Sequence, residues 1–184
     1  QYRPGKQKWD DAYEIPAKYE DIYRFDVIAL ANIDVRQTPF ETRKALKDWV
    51  EDGGRLIVLG GMNTLGQGGM KNTYFEDLLP FQLRGSGEVT RCEPPSVLGL
   101  GSGKQFPDTP LLYWRHDLKI RGESEPLVYA GPSPVLARRS VGRGQVYAFS
   151  GTTMGDPNPN EQPFWETKSW QKIWEKISGL VVLE

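Results

Sequence analysis

The chain is short of the groups from which many enzyme sites are built. Its 184 residues include one cysteine, Cys92, and one histidine, His116. A single cysteine excludes an internal disulfide and a disulfide-built scaffold, and it leaves the redox compartment open. Net charge is nearly absent as well: 23 Lys and Arg against 24 Asp and Glu leave −1. Such a chain carries no electrostatic footprint for nucleic acid or an anionic membrane. Long apolar runs are missing too. Leu56–Leu59 and Leu180–Leu183 are far too short to span a bilayer, so no membrane insertion of this segment is expected. No signal peptide is visible, and a chain that begins at Gln1 reads as a piece of a longer or processed polypeptide. Nothing in it specifies a compartment.

What is present is ordinary for one globular domain spanning 1–184: 38% hydrophobic and 26% charged residues, enough for a real core. Residues 1–24 are polar with scattered aromatics, an irregular lead-in with one short strand near Ala12–Ile15. Phe25–Ile33 is a near-continuous apolar run, which reads as a strand buried on both faces of a parallel sheet. Thr38, Pro39 and Glu41 have the spacing of a capping box and open a helix whose Leu46, Trp49 and Val50 form one face. Gly53 and Gly54 end it, and Arg55–Leu59 is a second strand, so the unit is βαβ.

Gly60–Gly69 follows, with five glycines in ten residues, and implies unusual dihedrals and close backbone approach. Tyr74–Leu79 is a short amphipathic stretch stopped by Pro80. Residues 84–126 are rich in Gly, Pro, Ser and charge and read as an irregular insertion with short strands, among them Leu111–Trp114. Pro134–Arg139 and Gln145–Ser150 flank a glycine-containing turn and read as a hairpin. Trp170, Ile173, Trp174 and Ile177 recur at helical spacing before Gly179, with the tryptophans as core anchors rather than a ligand cage.

The residues Phe25–Leu30, Asp52–Gly69, Phe75–Pro80, Pro134–Thr153, Pro163–Glu166 and the Trp170 helix resemble the class I glutamine amidotransferase-like family. The resemblance spans about two thirds of the chain. It implies a flavodoxin-like fold: a mainly parallel sheet with helices on both faces. Family members are often domains of larger bacterial proteins, and they carry a βα unit before the position where this sequence begins.

The chemistry of such an amidotransferase needs a cysteine on a strand-to-helix elbow, a histidine to activate it, and an acid to orient the histidine. The elbow position here reads Leu59-Gly60-Gly61-Met62-Asn63 and carries no nucleophile. The late strand Val146–Thr153 carries no histidine. Cys92 and His116 both lie in the insertion, and read as an ordinary thiol and a surface histidine rather than a dyad. No catalytic residue, cofactor or metal is therefore expected, and Gly-x-x-x-x-Gly without a following Lys-Ser or Lys-Thr excludes a nucleotide P-loop. Asp156–Glu161 alternates oxygen ligands as a calcium loop does, but lacks the glycine and glutamate of one.

Ligands of open α/β sheets bind outside the carboxyl ends of the strands. The expected binding set there is Asn32, Asp34, Gly60, Gly61, Met62, Asn63, Thr64, Thr152, Thr153 and Asp156. Scattered aromatics offer a second ligand surface, a carbohydrate platform, though most read as core. Three functions follow: a non-catalytic module that binds a small polar ligand; a divergent hydrolase, carbohydrate-related, using Asp34, Asp156 or Glu161; or a structural domain packed on another part of its own polypeptide.

Overall fold

The computed structural model describes residues 19–101 and 103–179. The strand expected near Ala12–Ile15 and the run Leu180–Leu183 lie outside them. In chain order the elements are α1 (Tyr19–Ile22), β1 (Val27–Ala31), α2 (Phe40–Glu51), β2 (Arg55–Leu59), α3 (Tyr74–Leu78), β3 (Phe81–Gln82), β4 (Val89–Leu100), β5 (Lys104–Gln105), β6 (Leu111–His116), β7 (Lys119–Ile120), β8 (Glu125–Ala130), β9 (Ser133–Val141), β10 (Gly144–Phe149) and α4 (Lys168–Ser178).

The expected βαβ unit forms. β1 and β2 are parallel, in register from Val27 opposite Arg55 to Ala31 opposite Leu59, and β10 lies parallel on the other side of β2. Beyond β10 the sheet changes character. Its order is β1-β2-β10-β9-β8-β4-β5, and β10 against β9, β9 against β8, β8 against β4 and β4 against β5 are all antiparallel. β6 pairs antiparallel with β4 off this path, and β3 and β7 form a separate two-stranded sheet.

The flavodoxin-like, mainly parallel sheet is therefore a wrong expectation. The fold is a mixed eight-stranded sheet with few helices. The cause is the stretch taken for an irregular insertion. A parallel strand needs a crossover of a dozen or more residues, usually a helix, whereas antiparallel strands need only a turn. After β2 the chain forms one five-residue helix and then runs through turns, so β4 to β9 can pair only antiparallel. These strands are half exposed and their polar residues mask the strand pattern, as in β4, where Cys92 and Leu98 are the two buried residues of twelve. β1 also departs from expectation: it ends the described sheet, and Ala29 and Ala31 are exposed.

Two apolar clusters sandwich the sheet. On one face Leu56, Val58, Val146 and Ala148 pack against Ala45, Leu46, Trp49 and Val50 of α2 and against Phe75 and Leu78 of α3. On the other, Ile57, Tyr147 and Phe149 pack against Phe164, Ile177 and the partly buried Trp170 and Trp174. The Trp170 ring lies 4.5 Å from Phe149 and 4.8 Å from Phe164, so it is the core anchor the spacing predicts. The alternation along β2 and β10 is what lets one strand feed both clusters.

The helix ends are only partly as expected. The Thr38–Glu41 box does not form. Pro39 is the N-cap of α2 and supplies no side-chain acceptor. At the other end Gly53, with φ 124°, turns the chain so that Gly54 N–H reaches the Trp49 carbonyl at 2.9 Å. α4 is capped by Thr167 Oγ1 on Trp170 N–H at 3.2 Å and closed by Gly179 in the left-handed region.

Candidate functional site

The three parallel strands end on one edge, and the segments expected to bind a ligand meet there. They meet by filling the space. Gly60 N–H donates to the Phe149 carbonyl at 2.8 Å, and a Cβ on Gly60 would sit 2.2 Å from the Gly151 carbonyl oxygen. A Cβ on Gly61 would sit 2.5 Å from Asn32 Oδ1, which itself accepts from Asn63 N–H at 2.8 Å. At Gly60, where the elbow nucleophile was sought, there is thus no room for a side chain, and at Gly61 one would have to displace that of Asn32.

The rest of the expected set divides. Thr64 and Thr152 are fully buried. Thr152 donates from both N and Oγ1 to the Trp114 carbonyl, at 2.9 and 3.3 Å, and Thr64 Oγ1 is sealed from solvent. Asp34 accepts from its neighbour Arg36 through Nε at 2.8 Å and Nη2 at 2.7 Å, and the Arg36 hydrogen bond holds its carboxyl below the usual range. Met62, Asn63, Thr153 and Asp156 are exposed.

What locks this edge is a pair that the sequence reading passed over. His116 is not on the surface. Its side chain and that of Glu88 are fully buried, with Nδ1 2.8 Å from Glu88 Oε1 and Nε2 3.0 Å from the Gly61 carbonyl oxygen. The β4–β6 pairing, with Val89 opposite His116, sets them side by side. The other Glu88 contacts are backbone amides: Gly66 N–H at 2.7 Å, Arg84 N–H at 3.0 Å and Gly85 N–H at 3.1 Å. A carbonyl can only accept, so Nε2 donates to Gly61, and a carboxylate met by so many donors makes Nδ1 a donor too. The pair ties the glycine loop at two points, Gly61 through histidine and Gly66 through glutamate.

Burial pushes the Glu88 carboxyl up, but the hydrogen bonds from His116 and from the Gly66 and Arg84 amides outweigh it and hold the carboxyl below its ordinary 4.5. A carboxyl depressed in the folded state binds fewer protons there than in the unfolded chain. Its stabilisation is complete above 4.5 and fades as pH falls through the lower folded value. Thermal unfolding followed from pH 7 to pH 3 should therefore show a melting temperature that drops below about pH 4.5, with a shallower drop in Glu88→Gln. An identical profile in the variant would remove Glu88 as a cause.

Cys92 and His116 form no dyad. Cys92 packs in the apolar cluster with Leu98, Leu112 and Val128, and both nitrogens of His116 are engaged elsewhere. Cys92→Ala should change stability by about 1 kcal/mol and leave the acid profile as it is, measured by the same melts.

The carboxylates proposed for hydrolysis are dispersed in their duties. Asp34 serves Arg36. Glu161 accepts from Tyr113 Oη and Asn158 N–H, both at 3.0 Å, and shapes its own loop. Burial, with Glu161 beside it, pushes the Tyr113 hydroxyl up to about 12. Among the described residues no cluster of three or more His, Cys, Asp or Glu could hold a metal, so the calcium-like loop gathers no cage.

A true concavity lies nearby at the same edge, between the first turn of α2 and the start of α3. It encloses ≈ 540 Å³ and is lined by Phe40, Arg43, Asn72, Thr73, Tyr74, Glu76 and Asp77, within the size range of small-ligand sites. Phe40 is 51% exposed and Tyr74 38%, with ring centroids 5.5 Å apart. The Arg43 guanidinium lies 5.9 Å from the Phe40 centroid, a cation–π spacing. Glu76 accepts from Asn72 N–H at 2.8 Å and Leu83 N–H at 3.2 Å and so braces the wall. The Arg43 guanidinium, the Asn72 amide, the Tyr74 hydroxyl and the Asp77 carboxylate have no protein partner among the described residues. The sequence does carry a signal for this cleft. Phe40 lies off the stripe Thr42, Ala45, Leu46, Trp49, Val50 that α2 buries, an apolar ring on the wrong side of the helix.

No protein-family model matches the chain, and no curated protein matches it. Solved structures do. The cytoplasmic protein STM3548 from Salmonella typhimurium superposes with a TM-score of 0.74 at 18% identity, covering 91% of this chain and 76% of that one. A β-galactosidase from Rahnella sp. R3 superposes with a TM-score of 0.58 at 12% identity, over 88% of this chain and 24% of the enzyme. The mmIFT52 N-terminal domain gives 0.56 at 12% identity, over 91% and 83%. At such identities the likeness is one of fold. The same mixed sheet serves proteins described as differently as a β-galactosidase and IFT52. No helix among the described residues is long and apolar enough to cross a membrane.

Proposed function

We propose that this domain is carbohydrate-associated and binds a saccharide, without cleaving it, in the cleft between α2 and α3. The observation that carries the reading is the pairing of two exposed aromatic rings with polar groups that lack protein partners. A pyranose ring offers an apolar C–H face and a rim of hydroxyls that both donate and accept. Phe40 and Tyr74 supply a surface for the first, as amphipathic ring platforms do. Arg43 and the Asn72 and Tyr74 side chains can donate to the second, and Asp77 can only accept. The fold shared with a domain-sized part of β-galactosidases supports the same reading.

Binding rather than hydrolysis is proposed because acid–base cleavage of a glycoside needs two carboxyl groups facing one bond. Glu76 is occupied by two backbone amides, which leaves Asp77 as the cleft's one carboxylate without a partner. Saturation-transfer NMR with methyl hexopyranosides tests the proposal. Wild-type protein should give saturation on the ring protons, and Tyr74→Ala should weaken binding about tenfold, the loss expected of a central aromatic anchor. Unchanged binding in Tyr74→Ala would place the sugar elsewhere, and turnover of the glycoside would overturn the non-catalytic half.

A further inference from the structure

We infer that the α2–α3 cleft selects neutral pyranosides and rejects uronates and sugar phosphates; this rests on the saccharide reading above and adds the ligand's charge class. The argument is the balance of charge in the cleft. Three charged side chains line it: Arg43, Glu76 and Asp77. Glu76 holds two backbone amides through its two oxygens and is fixed in place as a carboxylate wall. Asp77 sits one residue along, exposed and with no side-chain partner among the described residues.

The single cation is committed in a different direction. The guanidinium of Arg43 lies over the Phe40 ring at 5.9 Å, and its Nε is sealed from solvent with no acceptor. Held that way, it presents its outer nitrogens alone and lacks the Nε edge of a full fork. A bidentate clamp on a ligand carboxylate or phosphate uses two N–H groups in parallel, and the sealed Nε withdraws the pairing it takes part in. Another cation, Arg139, abuts the Asp77 carbonyl, and it is already paired with Glu123 at 2.9 Å. A ligand anion would thus enter beside two carboxylates and meet one guanidinium through its outer nitrogens alone. A neutral sugar meets no such penalty: Asp77 accepts a hydroxyl, Arg43 and Asn72 donate to others, and the apolar face rests on Tyr74.

The test compares methyl β-galactopyranoside and methyl β-glucopyranoside with methyl galacturonate and methyl glucuronate carrying free carboxylates, by competition saturation-transfer NMR on the full chain at pH 7. The expected result is at least about tenfold tighter binding of the neutral sugars, the scale of one like-charge contact at the rim of a partly solvated site. Added salt should narrow the gap by screening. Asp77→Asn, which keeps shape and removes charge, should narrow it too, read as the ratio of the two sugar classes' affinities in the variant against the same ratio in wild type. Equal or tighter binding of the uronates overturns this inference alone, as does a ratio unmoved by Asp77→Asn. Failure of both sugar classes to bind overturns the saccharide reading and this inference with it.

Discussion

Replacing Glu88 with alanine should lower the free energy of unfolding by about 3–5 kcal/mol, the cost of breaking a buried ion pair by deleting one partner. The side chain is fully buried, so bulk solvent does not reach the groups it bonds. Deletion leaves the His116 ring facing empty space at Nδ1 and removes the acceptor of three backbone amides, Gly66, Arg84 and Gly85. Each buried donor left alone costs on the order of 1–3 kcal/mol, and these costs overlap rather than add. For a domain with ordinary stability of about 5–15 kcal/mol, the loss is a large share of the whole. The check is urea unfolding: the midpoint should fall with little change in slope. A double-mutant cycle with His116→Ala should recover most of the loss as coupling. A shift under about 1 kcal/mol would mean that the pair is not buried as described.

The second large effect is expected at Gly60. Alanine there should destabilise by about 3 kcal/mol, at the upper end of the usual cost of overpacking. The added methyl would lie 2.2 Å from the Gly151 carbonyl oxygen and 3.0 Å from that of Ser150. Both obstacles are main chain, so no rotamer change relieves the clash. β2 and β10 would have to part just where Gly60 N–H bonds the Phe149 carbonyl. Gly122→Ala is the control. It has open space around its Cβ position and an ordinary φ, and should stay within about 0.5 kcal/mol of wild type. Equal effects at Gly60 and Gly122 would refute the close approach.

Both effects fall on residues whose roles differ from what their sequence context suggests. The glycine loop was legible as a place of close backbone approach, and so it is. Its partner was not legible. His116 reads as a surface residue because it stands beside Arg115 and Asp117, yet it closes a strand in which Leu112 and Tyr113 are buried too, and it is buried with them. Glu88 lies behind a run of Gly and Ser, where nothing local marks a buried acid; only the β4–β6 pairing brings it to the ring.

The fold divides in the same way. The βαβ unit, the glycine hairpin between β9 and β10, and α4 with its tryptophans carry strong local periodicity, and they form close to where it places them. The parallel flavodoxin-like sheet was extrapolated from that well-marked half. Strands β4 to β8 carry many exposed and half-exposed residues and rest on non-local pairing, so their polar composition hides them. At the ligand edge, Gly60 lies tight against the Gly151 carbonyl oxygen and Thr64 and Thr152 are buried, while Asn32, Met62, Asn63, Thr153 and Asp156 of the expected set face solvent and Asp34 pairs with Arg36. The open cleft lies next to it, built from first-turn residues of two helices that a search for loop ligands does not reach.

The most direct measurement is a backbone amide NMR titration of the full chain with methyl β-galactopyranoside. Shifts that saturate together at Arg43, Asn72, Tyr74 and Asp77, with Gly60 to Thr64 and Asn32 unmoved, are the predicted result. Shifts centred on Gly60 to Thr64, with the α2–α3 cleft silent, would contradict it and return the site to the loop.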